Sequence, residues 1–227
     1  MSISETASRP VRRSRSLHLN APRLIDILCS AVAIALLSPV FAMVALAVWI
    51  ESGRPILFSQ LRLGQSGKPF RMYKFRKFRA SCGNDGSPLT LTEDERLTAV
   101  GRVLIATKLD ELPQLWNVLR GDMSLVGPRP ESLSFSDCFR DGLEKLLEYK
   151  PGVFGPCQVL FRHESQLYPT DASAADFYRD VLFPAKAKID LAYFPSRTLA
   201  SDLGWIARAG WIIAAESWST LTRKLLR

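Results

Sequence analysis

The stretch that decides the fold is PRLIDILCSAVAIALLSPVFAMVALAVWI, Pro22 to Ile50. From Leu24 onward its only charged residue is Asp26. So long an apolar run predicts a membrane helix rather than the core helix of a soluble domain. Pro22 suits a first helical turn, and Asp26 lies near the positive end of the helix dipole. Ser38-Pro39 sits at the centre. Proline lacks the backbone donor and crowds the carbonyl four residues back, which predicts a bend there. Each half, Ile27–Ser38 and Pro39–Ile50, is then roughly 18 Å long at ~1.5 Å per residue. Neither half crosses a hydrocarbon core of roughly 30 Å.

The flanks point the same way. Arg9, Arg12, Arg13, Arg15 and Arg23 precede or open the run, and Arg54, Arg62, Lys68, Arg71, Lys74, Arg76, Lys77 and Arg79 follow it. A spanning helix leaves one basic flank outside, against the positive-inside tendency. A helix bent at Ser38-Pro39 that enters and leaves one leaflet keeps both flanks cytoplasmic, and this re-entrant reading is favoured over a span. Ala45-Leu46-Ala47 matches a signal-peptide cleavage pattern, but the apolar run is too long for one.

The chain has 227 residues, enough for one sizeable core, and a net charge of +8. That balance calls for an anionic partner: nucleic acid, a phosphorylated ligand or an anionic membrane surface. Cys29, Cys82, Cys138 and Cys157 are dispersed without CxxC spacing, and His18 and His163 are the only histidines. A zinc cluster and a disulfide framework are both disfavoured. The organisation expected is a disordered basic tail over 1–21, a membrane helix over 22–52, a catalytic domain over 53–198 and a C-terminal amphipathic helix over 199–227.

RPILFSQLRLGQSGKPFRMYKFRKFRA reads as two strands around Gly64-Gln65-Ser66-Gly67. Its basic and aromatic residues are compatible with single-stranded nucleic acid, with a charged strand against lipid headgroups, or with Lys74 and Arg76 binding the phosphates of a small ligand. Thr92 and Glu95 form a capping box for a helix running to about Ala106.

In KLDELPQLWNVLRGDMSLVGPRP, Lys108 to Pro130, Pro113 opens a helix and Gly121 ends it. Leu112, Leu115, Trp116 and Leu119 are its expected apolar stripe. Asp110 and Glu111 precede it, where the dipole favours ionised carboxylates. Capping needs one acid, not two, and Lys108, Arg120 and Arg129 surround the pair. A carboxylate in such a place can bind Mg²⁺ or attack phosphorus. Pro128 and Pro130 fix the backbone on both sides of Arg129, presenting its guanidinium for bidentate phosphate binding.

LDELPQLWNVLRGDMSLVGPRP, with GQSGKPFRMYKFR before it and YKPGVFGPCQV after it, resembles the bacterial sugar transferases, the monotopic polyprenyl-phosphate phosphoglycosyl transferases. The resemblance runs from about Arg23 to about Asp202. It implies an α+β, predominantly helical, monotopic protein of the bacterial inner membrane. That protein would have a re-entrant helix bent at a Ser-Pro and an active site on the cytoplasmic face.

The activity implied is transfer of a sugar-1-phosphate from a UDP-sugar to polyprenyl (undecaprenyl) phosphate with release of UMP. Asp110 would be the nucleophile, Glu111 (with Asp110) a holder of Mg²⁺ or Mn²⁺, and Arg129 part of the phosphate site. Partners implied are the donor, the lipid acceptor and membrane lipids, with a homo-oligomer compatible and nucleic acid not expected. A scaffold or nucleic-acid-binding protein leaves the acidic pair and Arg129 without a purpose. A catalytically degenerate transferase is the third reading.

The chain departs from the pattern in places. Ile105 stands where members often carry arginine, so Arg102 or Lys108 is expected to substitute. GVFGPCQVLFR keeps Gln158 and Arg162 without the usual Asn-Gly between them, and a longer segment follows from His163 to Ala187. Asp190, in an Asp-x-x-Tyr with Tyr193, is a further active-site candidate. Trp205, Trp211 and Trp218 with Arg208, Arg223, Lys224 and Arg227 suit a helix in the membrane interface.

Overall fold

The computed structural model describes residues 21–79, 89–90, 94–169 and 172–225, with side chains to 216. The basic tail, apart from Ala21, lies outside the described residues, as do Thr92, Cys82 and the side chains of Trp218, Arg223, Lys224 and Arg227.

Helix α1 runs over Ala21–Ser52 and contains Pro39. Proline at 39 cannot donate to the Ala35 carbonyl, and the Ser38 hydroxyl donates to that carbonyl instead at 2.8 Å. Ser38-Pro39 is therefore a self-satisfied proline site. One stripe of α1 packs on the rest of the protein from end to end: Asp26 and Ser30, then Ala33 and Ile34, then Val44 and Val48. The opposite face exposes Leu24, Leu28, Val32, Leu36, Met43, Leu46, Trp49 and Ile50.

Both ends of α1 are tied to the same body. At its start, Arg23 donates to the Val118 and Leu119 carbonyls, and the Asp26 carboxylate accepts from Ser124 Oγ (2.8 Å) and Leu125 N (3.0 Å). At its end, Arg76 Nη2 donates to the Ser52 and Gly53 carbonyls, and the Glu51 carboxylate accepts from Val100 N. The one acid of the apolar run is thus a strand anchor, buried because two donors meet it.

Strands β1 (Leu57–Leu63) and β2 (Pro69–Phe75) form the expected antiparallel hairpin, with Leu57 opposite Phe75 and Leu63 opposite Pro69. Helix α2 covers Ala99–Thr107. It starts later than the capping box predicts, with Thr98 as its cap: the Thr98 hydroxyl accepts from an early helical N–H, that of Gly101, at 2.8 Å. The residue that follows it, Lys108, is left-handed (φ 59°) and turns the chain into the single 3₁₀ turn Leu109–Glu111. Helix α3 follows over Gln114–Arg120, ended by the left-handed Gly121.

The buried face of α3 is Gln114, Leu115, Asn117 and Val118, whereas Trp116 is 54% exposed. The predicted Leu/Trp stripe is therefore rotated. The cause is Asn117, whose amide accepts from Tyr73 N (3.0 Å) and donates to the Arg71 carbonyl (2.7 Å), stitching α3 to β2.

Two short parallel strands, β3 (Ser124–Val126) and β4 (Gly152–Phe154), lie beyond, joined by a long crossover. Gly127 and Gly152 make this pairing possible: a Cβ on Gly152 would lie 2.0 Å from Gly127 N. Helices α4 (Pro156–Leu160), α5 (Ala174–Phe177), α6 (Phe183–Tyr193) and α7 (Leu199–Leu225) complete the chain.

The described residues are mostly helical, with two two-stranded sheets. Three apolar clusters hold them together. One joins α1, β2 and α3 through Met72, Val118 and Met123. A second joins α1, β2 and α2 through Val48, Phe75 and Leu104. A third underlies the crossover and α6 through Phe135, Leu146, Tyr178 and Phe183.

Candidate active site

β2, the end of α2, the Leu109–Glu111 turn and the segment after β3 enclose a cleft of about 610 Å³. Asp110 and Glu111 lie on its wall with Lys74, Lys77, Lys108 and Arg129. Met72, Lys74 and Arg76 alternate onto one face of β2 and its exit, which is why the basic residues of this strand reach the cleft.

Glu111 Oε1 lies 2.7 Å from Lys74 Nζ and 4.0 Å from Arg129 Nη2. Burial alone would raise the Glu111 pKa, but Lys74, Lys108 and Arg129 outweigh it and hold the carboxyl well below the usual carboxylate range. Burial lowers the Lys74 pKa, with Glu111 and Asp110 opposing. Burial would also lower that of Arg129, but Glu111, Glu164 and Glu131 raise it further.

Asp110 is 2% exposed. Its Oδ2 is 3.8 Å from Lys77 Nζ, and its Oδ1 is buried with no hydrogen-bond partner in the protein. Burial leads in lowering the Lys77 pKa, to about 8, against the pull of Asp110. The site therefore pairs one carboxylate locked in an ion-pair network with one carboxylate that keeps a free oxygen.

The other expected residues divide. Lys108 lines the cleft, whereas Arg102 is exposed and does not; of the two substitutes expected for arginine at Ile105, the structure brings only Lys108 in. Arg76 lines the cleft, but its Nη2 closes the end of α1, while its Nε and Nη1 are buried and unpartnered. Gln158 Nε2 donates to the Gly127 (3.0 Å) and Gly152 (3.3 Å) carbonyls, clamping the strand pair behind the site. Arg162 lines the cleft and is tied to Glu216 of α7 and to the Ala106 carbonyl.

Pro128 and Pro130 are buried, and the Pro128 carbonyl accepts from Gly152 N at 2.9 Å, so the Arg129 backbone is fixed by β4. Asp190 accepts from Cys157 N (3.2 Å) and faces a small cavity beside the site that Arg129 also lines. Burial pushes its carboxyl up to about 6.

Sequence reasoning missed a second buried polar group behind Arg129. Lys186 Nζ is 2.8 Å from Glu164 Oε2, 3.9 Å from Glu131 Oε1 and 3.2 Å from Tyr178 OH, and the Tyr168 hydroxyl donates to Glu164 at 2.6 Å. A third acid directly after Pro-Arg-Pro was the signal available for Glu131. Nothing in the local pattern marked Glu164 or Lys186, which the fold brings together across 22 residues.

Among the described residues no group of three or more His, Cys, Asp or Glu side chains could hold a metal. Two carboxylates, one with an unpartnered oxygen, nevertheless fit a hard divalent cation that completes its shell with substrate phosphate and water.

Comparison with known proteins follows the same residues. The family described as Bacterial sugar transferase matches residues 17–216. A UDP-N-acetylgalactosamine-undecaprenyl-phosphate N-acetylgalactosaminephosphotransferase of Aeromonas hydrophila is 34% identical over 186 residues, 80% of this chain and 44% of that protein. A UDP-glucose:undecaprenyl-phosphate glucose-1-phosphate transferase of Caulobacter vibrioides is 42% identical over 142 residues, 60% of this chain and 52% of that protein. A putative undecaprenyl-phosphate N-acetylgalactosaminyl 1-phosphate transferase of Bacillus subtilis is 34% identical over 140 residues, 62% of this chain and 78% of that protein. The chain thus spans about half the length of the first two. With its acidic pair, Pro-Arg-Pro and hairpin assembled in one cleft, and with the family match over nearly all its length, the chain belongs to the bacterial sugar transferase family.

Proposed function

We propose that this chain is a phosphoglycosyl transferase that moves a sugar-1-phosphate from a UDP-sugar to undecaprenyl phosphate and releases UMP. The observation that carries the reading is the unpartnered, buried Asp110 Oδ1 on the wall of a cleft lined by Lys74, Lys108 and Arg129. A buried carboxylate oxygen without a partner is costly unless a reacting group meets it. The relatives' names supply the substrate class: a sugar nucleotide and undecaprenyl phosphate.

The reaction proceeds in two displacements. Asp110 Oδ1 bonds to the sugar-bearing phosphorus of the donor while the bond from that phosphorus to the bridging oxygen breaks, and UMP leaves with the electron pair. A phosphate oxygen of the lipid then bonds to the same phosphorus, the bond to Asp110 breaks, and the lipid diphosphosugar departs. Arg129, its backbone held by β4 and flanking prolines, binds the phosphoryl oxygens with a planar fork of donors. Glu111, kept ionised by Lys74, and Asp110 would hold Mg²⁺ (or Mn²⁺), which would neutralise the diphosphate charge.

The membrane reading is that of a monotopic protein on the cytoplasmic face of the bacterial inner membrane, with α1 re-entrant at Ser38-Pro39. It is supported by the tie of both ends of α1 to one body, the exposed apolar face of α1 and the basic flanks. A lipid phosphate lies at headgroup depth, so a helix that dips and returns places Asp110 where the acceptor is. The step would open the synthesis of a surface polysaccharide or glycoconjugate.

The test is UMP release over a panel of UDP-sugars, with and without undecaprenyl phosphate. Without lipid, about one UMP per active site and a sugar-phosphate mass on the Asp110 peptide are expected. UMP formed only with lipid, together with an active Asp110→Asn variant, replaces the covalent route by direct transfer. Release from none of the donors removes the reading.

A further inference from the structure

We infer that Lys77 is a phosphate-site cation: from the exit of β2 it supplies, beside the Asp110 carboxylate, the positive charge that α2 does not bring to the cleft. The inference rests on the functional reading above and names one more residue for it.

Three observations converge. First, Lys77 Nζ stands 3.8 Å from Asp110 Oδ2, with the two side chains 18% and 3% exposed. Among the described residues its other hydrogen-bond partner is neutral, the Thr90 hydroxyl at 3.3 Å. Second, three other cations that line the cleft are wholly or partly engaged. Lys74 is bonded to Glu111, Arg76 Nη2 to the end of α1, and Arg162 to Glu216 and the Ala106 carbonyl. Third, α2 presents Ile105 to the same cleft, so its contribution there is apolar.

The placement is built, not incidental. The Lys77 carbonyl accepts from Thr98 N at 3.1 Å, at the start of α2. A Cβ on Gly101, in the first turn of that helix, would lie 2.0 Å from the same carbonyl. Glycine at 101 is thus required for α2 to sit directly on Lys77. Helix and strand exit are locked together, with Lys77 and Ile105 both turned to the cleft.

The chemistry needs such a charge. An anionic carboxylate must approach an anionic phosphorus centre, and a cation beside the attacking group reduces their repulsion and stabilises charge on the phosphoryl oxygens. Lys77 acts by charge alone: the bond made is Asp110 oxygen to phosphorus, the bond broken is phosphorus to the UMP oxygen, and no proton moves. The groups facing Lys77 are Asp110 and Glu111 from the turn, Lys108 before it, Lys74 from β2 and Asp94 from the segment before α2.

The experiment is the pre-steady-state UMP burst of the full chain in detergent or nanodiscs, donor alone, for wild type, Lys77→Met, Lys77→Arg and the double variant Lys77→Met with Ile105→Arg. Lys77→Met is expected to slow the burst about 100-fold, more in the rate constant than in half-saturation by donor. Lys77→Arg, or an arginine delivered from position 105, is expected to recover at least a tenth of the wild-type rate. A loss of packing alone is not repaired by a cation placed on a different element. Lys77→Gln replaces the methionine variant if that one does not fold by circular dichroism. An unchanged burst in Lys77→Met, or a slow burst that neither arginine improves, overturns the inference and leaves the transferase reading standing. No UMP from wild type with any donor overturns the transferase reading itself, and this inference with it.

Discussion

Lys74 Nζ lies 2.7 Å from Glu111 Oε1, so a strand of the hairpin and the turn carrying the acidic pair are joined inside the cleft. Removing one partner leaves the other buried without its counter-charge, which typically costs about 3–5 kcal/mol. A loss of that size is expected for Glu111→Gln, which leaves Lys74 without its ion-pair partner. Denaturant unfolding measures it. UMP release should fall about 100-fold or more, and an active, equally stable Glu111→Gln protein contradicts the network.

Arg129 is the second expectation. Lysine keeps the charge at this site but loses the planar pair of donors. Arg129→Lys should lower transfer at least ~10-fold with little change in stability, since the backbone is held by the Pro128 carbonyl and Gly152. A variant within twofold of wild type shows that only a point charge is needed.

A third concerns α1. Asp26→Ala removes the acceptor of both Ser124 Oγ and Leu125 N, and leaving that buried amide unsatisfied should cost about 1–3 kcal/mol. Thermal unfolding in nanodiscs reports it, with Asp26→Asn expected between the two. Single cysteines placed before Pro22 and after Ser52, in a chain lacking its own cysteines, should label from the same side of a vesicle. Labelling from opposite sides excludes the re-entrant arrangement.

The pH dependence carried by Asp190 has a definite sign. Burial pushes this carboxyl up to about 6, against Cys157 hydrogen bonds and Lys186. The unfolded group titrates near ~3.9, so between about pH 4 and 6 the folded state holds the extra proton. Its contribution to stability is fully present below about pH 4 and is lost as pH rises to 6, by up to about 2–3 kcal/mol. Asp190→Asn should flatten that part of the stability curve and raise stability at pH 7. An unaltered slope between pH 4 and 6 refutes the assignment.

Much of the fold was legible because its signals are local. A long apolar run, a Gly-bounded hairpin and a Pro-to-Gly helix each depend on residues within a few positions of one another. Less legible were the side chains whose roles depend on where distant segments meet. Thr98 caps α2 and also meets the Lys77 carbonyl, 21 residues away. Asn117 rotates α3 because β2 offers it two backbone partners. Arg102 shares α2 with Ile105, and only the docking of that helix decides which of them sees the cleft.

By itself the sequence determined that the chain has a long apolar helix with basic flanks, a basic hairpin and an acidic pair followed by a braced arginine. Those are matters of composition and short spacing, set by backbone propensity and solvation. Only the tertiary structure decided which oxygen of the pair is left without a partner, which cations are already engaged, and that Lys77 rather than Arg102 stands beside Asp110. Pairing in a buried site is settled by proximity across tens of residues, and no local pattern encodes it.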